Sequence, residues 1–403
     1  MILHRARWVL PITGPPLRDG WVAVEQGRIV AVGSGRGGPP DARVLEATHD
    51  RAILPGLINA HTHLELSWMA GRVPPSDSMG QWIRALMALR RNGPPAGEAQ
   101  RQAAAAALAG ARAAGTVAFG DISNTLITAD VLLDAGVPGV LFHELIGFGP
   151  SDVKARAEEG ALRVRQVVRP PLKGGLAPHA PYSVSPDLFR AIGEVTAREG
   201  LPSSVHLGES REEIEFLMTA GGAIAETLKH LGAWNDAWAA PRCDPAEYLD
   251  RLGVLRPGLL VVHAAQLSRG PLARLAARGC IIVSCPRSNR WVGAGDPPLD
   301  AFYASGARVT FGTDSLASAP NLEMFAELAA ARAVSSVGAV RLLESATRIG
   351  AQALGLDPDL GTIEPGKRAD LLAVRLPAGV VDVEEYIVGG IEPDTIEWLE
   401  APL

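Results

Sequence analysis

Two histidines separated by one residue, His61 and His63, have a spacing that could support metal chemistry. In an extended segment, residues i and i+2 point to the same side, so both imidazoles can reach the same metal ion. Such a pair also occurs as two solvated or core histidines. Its position favours the metal interpretation, because the pair follows the apolar segment 53–58, a predicted strand.

Five further polar residues follow apolar segments in the same way. His206 can supply a third ligand, and His263 is either a satisfied core group or a residue at the mouth of a site. Glu209 can shuttle protons beside a metal-activated water, or it can be a first-turn acid of the charged helix that follows. Asp314 is either a ligand or an aspartate in a turn. His179 either touches substrate or braces a proline-rich loop.

Together these residues predict a hydrolytic metal centre. The candidates lie at the carboxyl ends of predicted strands, where a barrel of parallel strands places its active site. A bound ion lowers the pKa of its water toward about 7 and makes hydroxide available. On the residue types, Asp314 would ligate the metal and take a proton from the water, and His263 would orient that water.

The elements that must position these residues alternate between short apolar runs and helical stretches. Residues 100–114 and 186–199 have helical period. Eight such strand–helix units predict an α/β fold, a TIM (β/α)8 barrel. The intervals after the first and fifth runs are the longest, and we expect them to carry loops over the mouth. The runs are residues 52–58, 116–119, 139–142, 175–177, 203–205, 259–262, 281–283 and 308–311.

Both ends of the chain have the pattern of β structure instead. The simplest arrangement packs them into one small β-sandwich beside the barrel. The predicted strands of this unit are residues 21–24, 29–33, 43–47, 371–374 and 386–388. The predicted domains are residues 1–52 and 357–403 for the two parts of the sandwich and 53–356 for the barrel.

The composition excludes several classes of protein. Lys and Arg number 38 against 44 Asp and Glu, a net charge of −6; this argues against a nucleic-acid partner, which usually requires a basic face. No apolar run reaches the roughly 18 residues of a membrane span, and the first residues lack the apolar core of a signal peptide. The three cysteines form neither a disulfide framework nor a Cys-x-x-Cys pair. We therefore expect a cytoplasmic protein without membrane or nucleic-acid partners.

These motifs, in this order, resemble the amidohydrolase superfamily over almost the whole chain. A Glu three residues after the third histidine resembles the branch that contains cytosine deaminase and adenosylhomocysteine deaminase. The dinuclear branch uses a carboxylated lysine at a strand end, whereas Lys154, Lys173 and Lys229 are expected in loops or helices. The motifs that carry the resemblance are residues 55–63 (PGLINAHTH), 206–209 (HLGE), His263, 285–289 (CPRSN), 312–315 (GTDS) and 361–370.

The resemblance implies a mononuclear site and a deamination reaction. The implied ligands of one divalent ion, zinc or iron, are His61, His63, His206 and Asp314. Glu209 would be the proton shuttle, and His263 would activate the water. Glu209 would protonate a ring nitrogen of an aromatic substrate, the activated water would attack the neighbouring carbon, and ammonia would leave.

Residues 61–67 (HTHLELS) and 178–185 (PHAPYSVS) are similar to the aminodeoxyfutalosine deaminases of the futalosine route to menaquinone. The substrate of those enzymes carries an adenine base, a ribose-derived part and a benzoate. The alternatives are deamination of S-adenosylhomocysteine or 5′-methylthioadenosine, and hydrolysis of another bond, as in triazine hydrolases or chlorohydrolases. A non-catalytic scaffold is disfavoured, because every expected ligand position is filled.

Some residues are expected to line the substrate pocket because of their positions in the sequence. The candidates are His179, Glu144, Trp82, His143 and Arg287. Trp82 also fits the apolar face of a helix, and Arg287 also fits an exposed surface arginine. The sequence is compatible with a homodimer.

Overall fold

The computed structural model describes residues 1–46, 50–93, 97–149 and 152–399. The predicted strand 43–47 is found as Arg43–Glu46, and Ala47 lies outside the described residues, as do the last four residues of the predicted C-terminal domain. The strands are β1 (Ile2–Val9), β2 (Leu17–Glu25), β3 (Arg28–Ser34), β4 (Arg43–Glu46), β5 (Arg51–Pro55), β6 (Leu57–Thr62), β7 (Thr116–Ser123), β8 (Gly139–Leu145), β9 (Leu172–Pro178), β10 (Ser204–Leu207), β11 (Leu260–His263), β12 (Ile281–Ser284), β13 (Arg308–Phe311), β14 (Leu371–Arg375) and β15 (Ile396–Trp398).

Helices follow most strands, and a 3-10 helix (Leu64–Met69) and a π-helical segment (Ser345–Ile349) add to them. The predicted helix 186–199 is confirmed as α5, where Ser185 caps the first turn by accepting a hydrogen bond from the Leu188 N–H at 3.2 Å. The α-helices are α1 (Met79–Arg91), α2 (Glu98–Ala113), α3 (Thr128–Asp134), α4 (Val153–Val167), α5 (Pro186–Glu199), α6 (Arg211–Thr219), α7 (Gly222–His230), α8 (Pro245–Arg251), α9 (Arg269–Ala277), α10 (Pro286–Trp291), α11 (Leu299–Ala304), α12 (Met324–Ala333), α13 (Ala339–Glu344), α14 (Gly350–Ala353) and α15 (Val383–Val388).

Both ends of the chain contribute to one sheet. Its described strands run in the order β15-β14-β5-β1-β2-β3, and β4 pairs with β1. β14 pairs antiparallel with β5, so the C-terminal strands join the N-terminal ones directly. The predicted strand at 386–388 is wrong, because these residues form the last turn of α15. That helix starts at Asp382, whose side chain accepts a hydrogen bond from the Glu385 N–H at 2.9 Å.

Eight further strands form two parallel sheets, in the orders β6-β7-β8-β9 and β10-β11-β12-β13. Isolated bridges link the edges of the two sheets, from Leu176 to Ser203 and from Thr62 to Asp314. The seven later predicted runs coincide with β7 to β13. The first run, 52–58, is divided, because β5 pairs with β1 and β14 in the other sheet. The predicted boundary after residue 52 therefore falls inside β5, and the chain changes sheets at Gly56.

The parallel strands are buried along nearly their whole length, and every residue of β7 and β8 is buried. Strands that are covered on both faces need apolar side chains on both, which explains why their sequences are continuous apolar runs. Ile58, Ala118, Val140, Val262 and Val283 belong to one buried cluster formed by strands of both sheets. Polar side chains then appear at the carboxyl ends of these strands.

In the part of the chain that the structure describes, no helix is long and apolar enough to cross a membrane. Cys243, Cys280 and Cys285 are each buried and free. The expectation that Lys173 lies in a loop or helix is wrong, because it is the second residue of β9. Its amine donates to the carbonyl oxygen of Gly355 and belongs to the amino-terminal end of that strand, not to the carboxyl end.

Candidate metal centre and active site

The carboxyl ends of the parallel strands bring five predicted residues into one buried cluster. His61 lies in β6 and is fully buried, and His63 follows the strand and is 9 % exposed. His206 lies in β10, His263 ends β11, and Asp314 follows β13 by three residues. All five are buried. The convergence follows from parallel topology, because such strands end at one side of their sheets.

Asp314 reaches the histidines because the chain after β13 passes close to β6. The N–H groups of Thr313 and Asp314 donate to the carbonyl oxygen of His61 at 3.0 and 3.1 Å. A Cβ atom on Gly312 would lie 2.7 Å from the Cβ of His61, so only glycine allows this approach. Asp314 has a left-handed φ of 58°, and the Thr62 hydroxyl donates to its carbonyl oxygen at 2.8 Å.

Two serine hydroxyls orient the Asp314 carboxylate. Ser288 and Ser318 donate to Oδ2 at 2.6 and 2.9 Å. The other oxygen, Oδ1, therefore faces the histidines, 3.6 Å from Nε2 of His63 and 3.8 Å from Nε2 of His61. Ser288 lies in a motif that the sequence singles out, whereas the sequence gives no signal for Ser318.

His206 presents its Nε2 atom to the same point. Its Nδ1–H donates to the carbonyl oxygen of His179 at 3.0 Å, which leaves the lone pair on Nε2. That Nε2 lies 3.3 Å from Nε2 of His61 and 3.4 Å from Nε2 of His63. Burial lowers the pKa of His206 to about 3, so the ring is neutral and able to bind a cation.

The spacing of these atoms fits a metal ion. Tetrahedral ligands about 2.0–2.1 Å from zinc lie about 3.3–3.4 Å from one another, which matches the distances from Nε2 of His206 to Nε2 of His61 and of His63. His61, His63 and Asp314 each offer one donor atom, and these atoms lie within 4.8 Å of one another. Burial and the neighbouring histidines lower the pKa of His61 well below its usual value, which keeps its lone pair available.

A carboxyl acid and a further histidine lie beside this cluster. Nε2 of His263 is 3.5 Å from Oε1 of Glu209, and both residues are buried. Nδ1 of His263 donates to Oδ1 of Asn289 at 2.8 Å, so Nε2 carries the lone pair. Burial, reinforced by the charge of Asp314, raises the pKa of Glu209 well above its usual value, which favours the protonated form of its carboxyl group.

Glu213 fixes the loop that carries Glu209, a role that the sequence analysis missed. Its carboxylate accepts hydrogen bonds from the N–H groups of Gly208 and Glu209 at 3.0 and 3.1 Å. Its own N–H donates to the Ser210 hydroxyl at 3.2 Å. The Ser-x-x-Glu spacing of a capping box was the available signal. Glu209 precedes α6, so it is not a first-turn acid of that helix.

A second network behind the cluster ends at the predicted pocket residue Glu144. Glu65 accepts hydrogen bonds from the Ser123 and Thr125 hydroxyls at 2.7 and 2.8 Å and from the Asn124 N–H at 3.0 Å. The Asn124 amide donates to Oε2 of Glu144 at 2.8 Å. Oε1 of Glu144 has no hydrogen-bond partner among the described residues. No motif in the sequence indicates this role of Asn124.

The cluster opens into a cavity beneath α1. His179, Glu144 and Trp82 line this cavity, as the sequence predicts, and Glu209 and His263 lie at its base. Three larger surface cavities, next to Trp238, next to Leu108 and between α1 and α7, contain none of these residues. Residues that the sequence analysis missed also line the site cavity: Leu66, Met79, Ile83, Leu86, Met87, Arg90, Asn124, Ile146, Tyr182 and Ser315.

The expectation for Arg287 has to be corrected, because the structure does not bring it to this cavity. Its guanidinium donates to Oε1 of the buried Glu327 at 2.6 Å and to the carbonyl oxygen of Asn321 at 2.9 Å. These partners hold α10 against the start of α12. His143 is also directed elsewhere, with its Nδ1 3.1 Å from the carbonyl oxygen of Gly160 in α4.

Three buried imidazoles and a carboxylate, with a further carboxyl group beside them at the ends of parallel strands, are the donor set that metal-dependent hydrolases use. The Amidohydrolase family profile matches residues 52–396. The chain belongs to the amidohydrolase family, which confirms the resemblance of its sequence motifs and the prediction that it is an enzyme.

Individual relatives show which members of the family this chain is similar to. Aminodeoxyfutalosine deaminase of Deinococcus radiodurans is 32% identical over 77% of this chain and 77% of its own length. A 5-methylthioadenosine/S-adenosylhomocysteine deaminase of Moorella thermoacetica is 29% identical over 98% of this chain and 92% of its own. The crystal structure of Helicobacter pylori aminofutalosine deaminase in complex with methylthio-coformycin matches with a TM-score of 0.84 and 26% identity, covering 96% of this chain and 95% of that one.

Proposed function

We propose that the chain is a metal-dependent hydrolytic deaminase of adenine nucleosides and that 6-amino-6-deoxyfutalosine is its substrate. The observation that carries this proposal is the position of Glu209. Its buried carboxyl group, whose pKa is raised by burial, lines the same cavity as the histidine and aspartate cluster. Hydrolytic deamination needs a proton donor and a nucleophile at the two ends of one C=N bond, and a single cavity supplies both.

The ion would be held by His61, His63, His206 and Asp314. Three imidazoles and one carboxylate suit zinc or ferrous iron, whereas magnesium and calcium prefer oxygen ligands. We propose a single ion, because no lysine that could carry a bridging carboxylate is among the described residues that line the cavity. When bound, the ion supplies the Lewis acidity that makes water a nucleophile near neutral pH.

The residues around the ion divide the proton transfers between them. Oδ1 of Asp314 accepts the proton of the attacking water, because Ser288 and Ser318 occupy Oδ2. Nε2 of His263 accepts a hydrogen bond from the same water and orients it, because its Nδ1–H is held by Asn289. The Glu209 carboxyl donates its proton to the ring nitrogen of adenine next to the amino-bearing carbon. The proton taken by Asp314 then passes to the amino group, which leaves as ammonia, and the new hydroxyl group returns a proton to the Glu209 carboxylate.

Glu144 is proposed to bind the ribose-derived part. It is 6 % exposed and lines the cavity, and its buried Oε1, 3.7 Å from Nδ1 of His206, has no hydrogen-bond partner among the described residues. A buried carboxylate oxygen without a donor is costly unless a ligand supplies one, and ribose hydroxyls are such donors. His179 and Tyr182, whose ring centroids are 5.7 Å apart, are proposed to face the base from the opposite wall.

We also propose that the two parallel sheets close into a (β/α)8 barrel and that the chain ends form a separate β-sandwich domain. The bridges Thr62–Asp314 and Leu176–Ser203, which link both pairs of sheet edges, support closure. The likeness to the Helicobacter pylori structure supports the barrel. The proposed domains are those predicted from the sequence, except that the first boundary is moved from residue 52 to Gly56.

The test is a panel of adenine nucleosides incubated with zinc-loaded and iron-loaded protein. Ammonia release and loss of adenine absorbance should be fastest with 6-amino-6-deoxyfutalosine. If the protein deaminates 5′-methylthioadenosine or S-adenosylhomocysteine faster, that nucleoside is the substrate instead of 6-amino-6-deoxyfutalosine. No turnover of any adenine nucleoside would overturn the proposal.

A matched pair of variants tests the proton donor. Glu209→Gln keeps the size of the side chain but removes the acidic proton, so kcat should fall about a hundredfold or more with metal content unchanged. Glu215→Gln, on the exposed side of α6, should keep the activity of the wild type. An active Glu209→Gln variant would show that another group delivers the proton.

A further inference from the structure

One face of α1 forms a wall of the site cavity. Its lining residues recur after three or four positions, with two adjacent pairs, as on a single helical face. They are Met79, Trp82, Ile83, Leu86, Met87 and Arg90. The first five are apolar, and the last ends the stripe with a guanidinium group.

The amino-terminal half of this stripe is attached to the metal centre. Nε1 of Trp82 donates to the carbonyl oxygen of Ala317 at 3.1 Å, three residues beyond the candidate ligand Asp314. Arg90 lies eight positions further along α1, or about 12 Å along the axis at 1.5 Å per residue. Its exposed side chain has no hydrogen bond or ion pair with any described residue. The guanidinium therefore ends the stripe of α1 that lines the cavity, without a partner among the described residues.

The acidic and the basic side chains that line the cavity are also separated from one another. The acidic lining residues, Glu144, Glu209 and Asp314, all belong to the metal cluster or contact it. Among the described lining residues Arg90 alone carries a permanent positive charge. An apolar stretch of α1 thus leads from Trp82, which is bonded beside the acidic metal end, to a cationic end at Arg90.

We propose that Arg90 binds a carboxylate at the end of the substrate's 5′ substituent. This proposal rests on the proposed function, which places the adenine ring at the metal cluster. A nucleoside bound in that way would extend its 5′ arm along the apolar face of α1 toward Arg90. The geometry selects an arm that is apolar along its length and ends in a carboxylate. An arm that also ends in an ammonium group is disfavoured, because no acidic lining residue is left to pair with it.

The chain offers matched control arginines on the same helix. Arg84 and Arg91 line a separate groove between α1 and α7 instead of the site cavity. The experiment measures kcat and KM of wild type, Arg90→Gln, Arg90→Lys, Arg84→Gln and Arg91→Gln, each loaded with metal. The substrates are 6-amino-6-deoxyfutalosine, its neutral carboxamide and 5′-methylthioadenosine.

Arg90→Gln should lower kcat/KM for the carboxylate substrate roughly tenfold to a hundredfold, mainly through KM. The same variant should change kcat/KM for the carboxamide and for 5′-methylthioadenosine by about twofold at most. Arg90→Lys should recover part of the loss, because it restores the charge without the bidentate geometry. Arg84→Gln and Arg91→Gln should behave as wild type.

Three results would overturn the inference. They are equal losses with all three substrates, no loss in Arg90→Gln, and an equal loss in either control variant. If the wild type deaminates these nucleosides and Arg90→Gln shows no selective loss, only the assignment of Arg90 fails. If the wild type deaminates none of them, the proposed function itself fails.

Discussion

Replacing Asn289 by leucine should slow catalysis without removing the metal. Asn289 is fully buried, and its Oδ1 accepts the Nδ1–H of His263 at 2.8 Å. That bond fixes both the orientation of the imidazole and the nitrogen that carries the proton. Leucine has a similar volume but no acceptor, so the substitution removes the bond and preserves the packing.

The size of the effect follows from the two states open to His263. If Nδ1 keeps its proton, the buried N–H loses its only acceptor, at a cost of about 1–3 kcal/mol. If the proton moves to Nε2, that atom no longer has a lone pair for the catalytic water. In either case kcat should fall by about tenfold to a hundredfold, at about 1.4 kcal/mol per tenfold.

Stability should change little in this variant. Nδ2 of Asn289 is buried and has no hydrogen-bond partner among the described residues. Leucine removes that unsatisfied donor, which offsets part of the lost hydrogen bond. We expect the free energy of unfolding in urea to stay within about 1 kcal/mol of wild type.

The assay compares kcat for 6-amino-6-deoxyfutalosine, metal content and urea unfolding in wild type, Asn289→Leu and Asn289→Asp. Aspartate restores an acceptor at the same place and should recover part of kcat. A leucine variant with the kcat of wild type would refute the positioning role. So would a loss of kcat that only follows a loss of metal, or an aspartate variant no better than leucine.

Two further predictions concern the surroundings of the site. Burial raises the pKa of Asp121 from 3.8 to about 7, so the folded chain binds this proton more tightly than the unfolded chain. The stability of wild type relative to Asp121→Asn should therefore fall by about 3 kcal/mol as pH rises from about 4 to about 7, measured by urea unfolding. Parallel pH profiles would contradict this. Gly312→Ala should lower stability by about 1–3 kcal/mol and weaken metal binding, because its Cβ would lie 2.7 Å from the Cβ of His61. Gly193→Ala in α5, with open space at that position, is the control and should be neutral or slightly stabilising.

The metal cluster could be predicted from the sequence because its geometry depends on topology alone. His206 and His263 end apolar runs, and the carboxyl ends of parallel strands lie together whatever the distance between them in sequence. No side-chain packing has to be known for this inference. The same argument placed Asp314 correctly, although the close approach at Gly312 is visible only in the structure.

Residues whose role depends on packing between distant helices could not be predicted. Arg287 looks like a free arginine until the structure shows that Glu327, forty residues later, binds it. Arg90 shares α1 with Arg84 and Arg91, and only the angular position of each on the helix separates the site from the outer groove. That position depends on how α1 is rotated against its neighbours.

The first predicted strand shows a different limit. Residues 52–58 form one apolar run, but Gly56 divides it between two sheets. Its N–H donates to the carbonyl oxygen of Asp370 at 2.9 Å, and a Cβ there would lie 2.8 Å from Val117. An apolar run in the sequence shows that its residues are buried. It does not show which sheet each part of the run joins.

The most direct measurement of the proposed chemistry is a metal titration of the stripped protein, followed by ammonia release from 6-amino-6-deoxyfutalosine. Stripped protein should be inactive. Activity should rise in proportion to added zinc or ferrous iron and stop rising at one ion per chain, as expected if His61, His63, His206 and Asp314 form a single site. Ammonia release without metal, a break at two ions per chain, or no release at any metal content would contradict a single-metal deaminase.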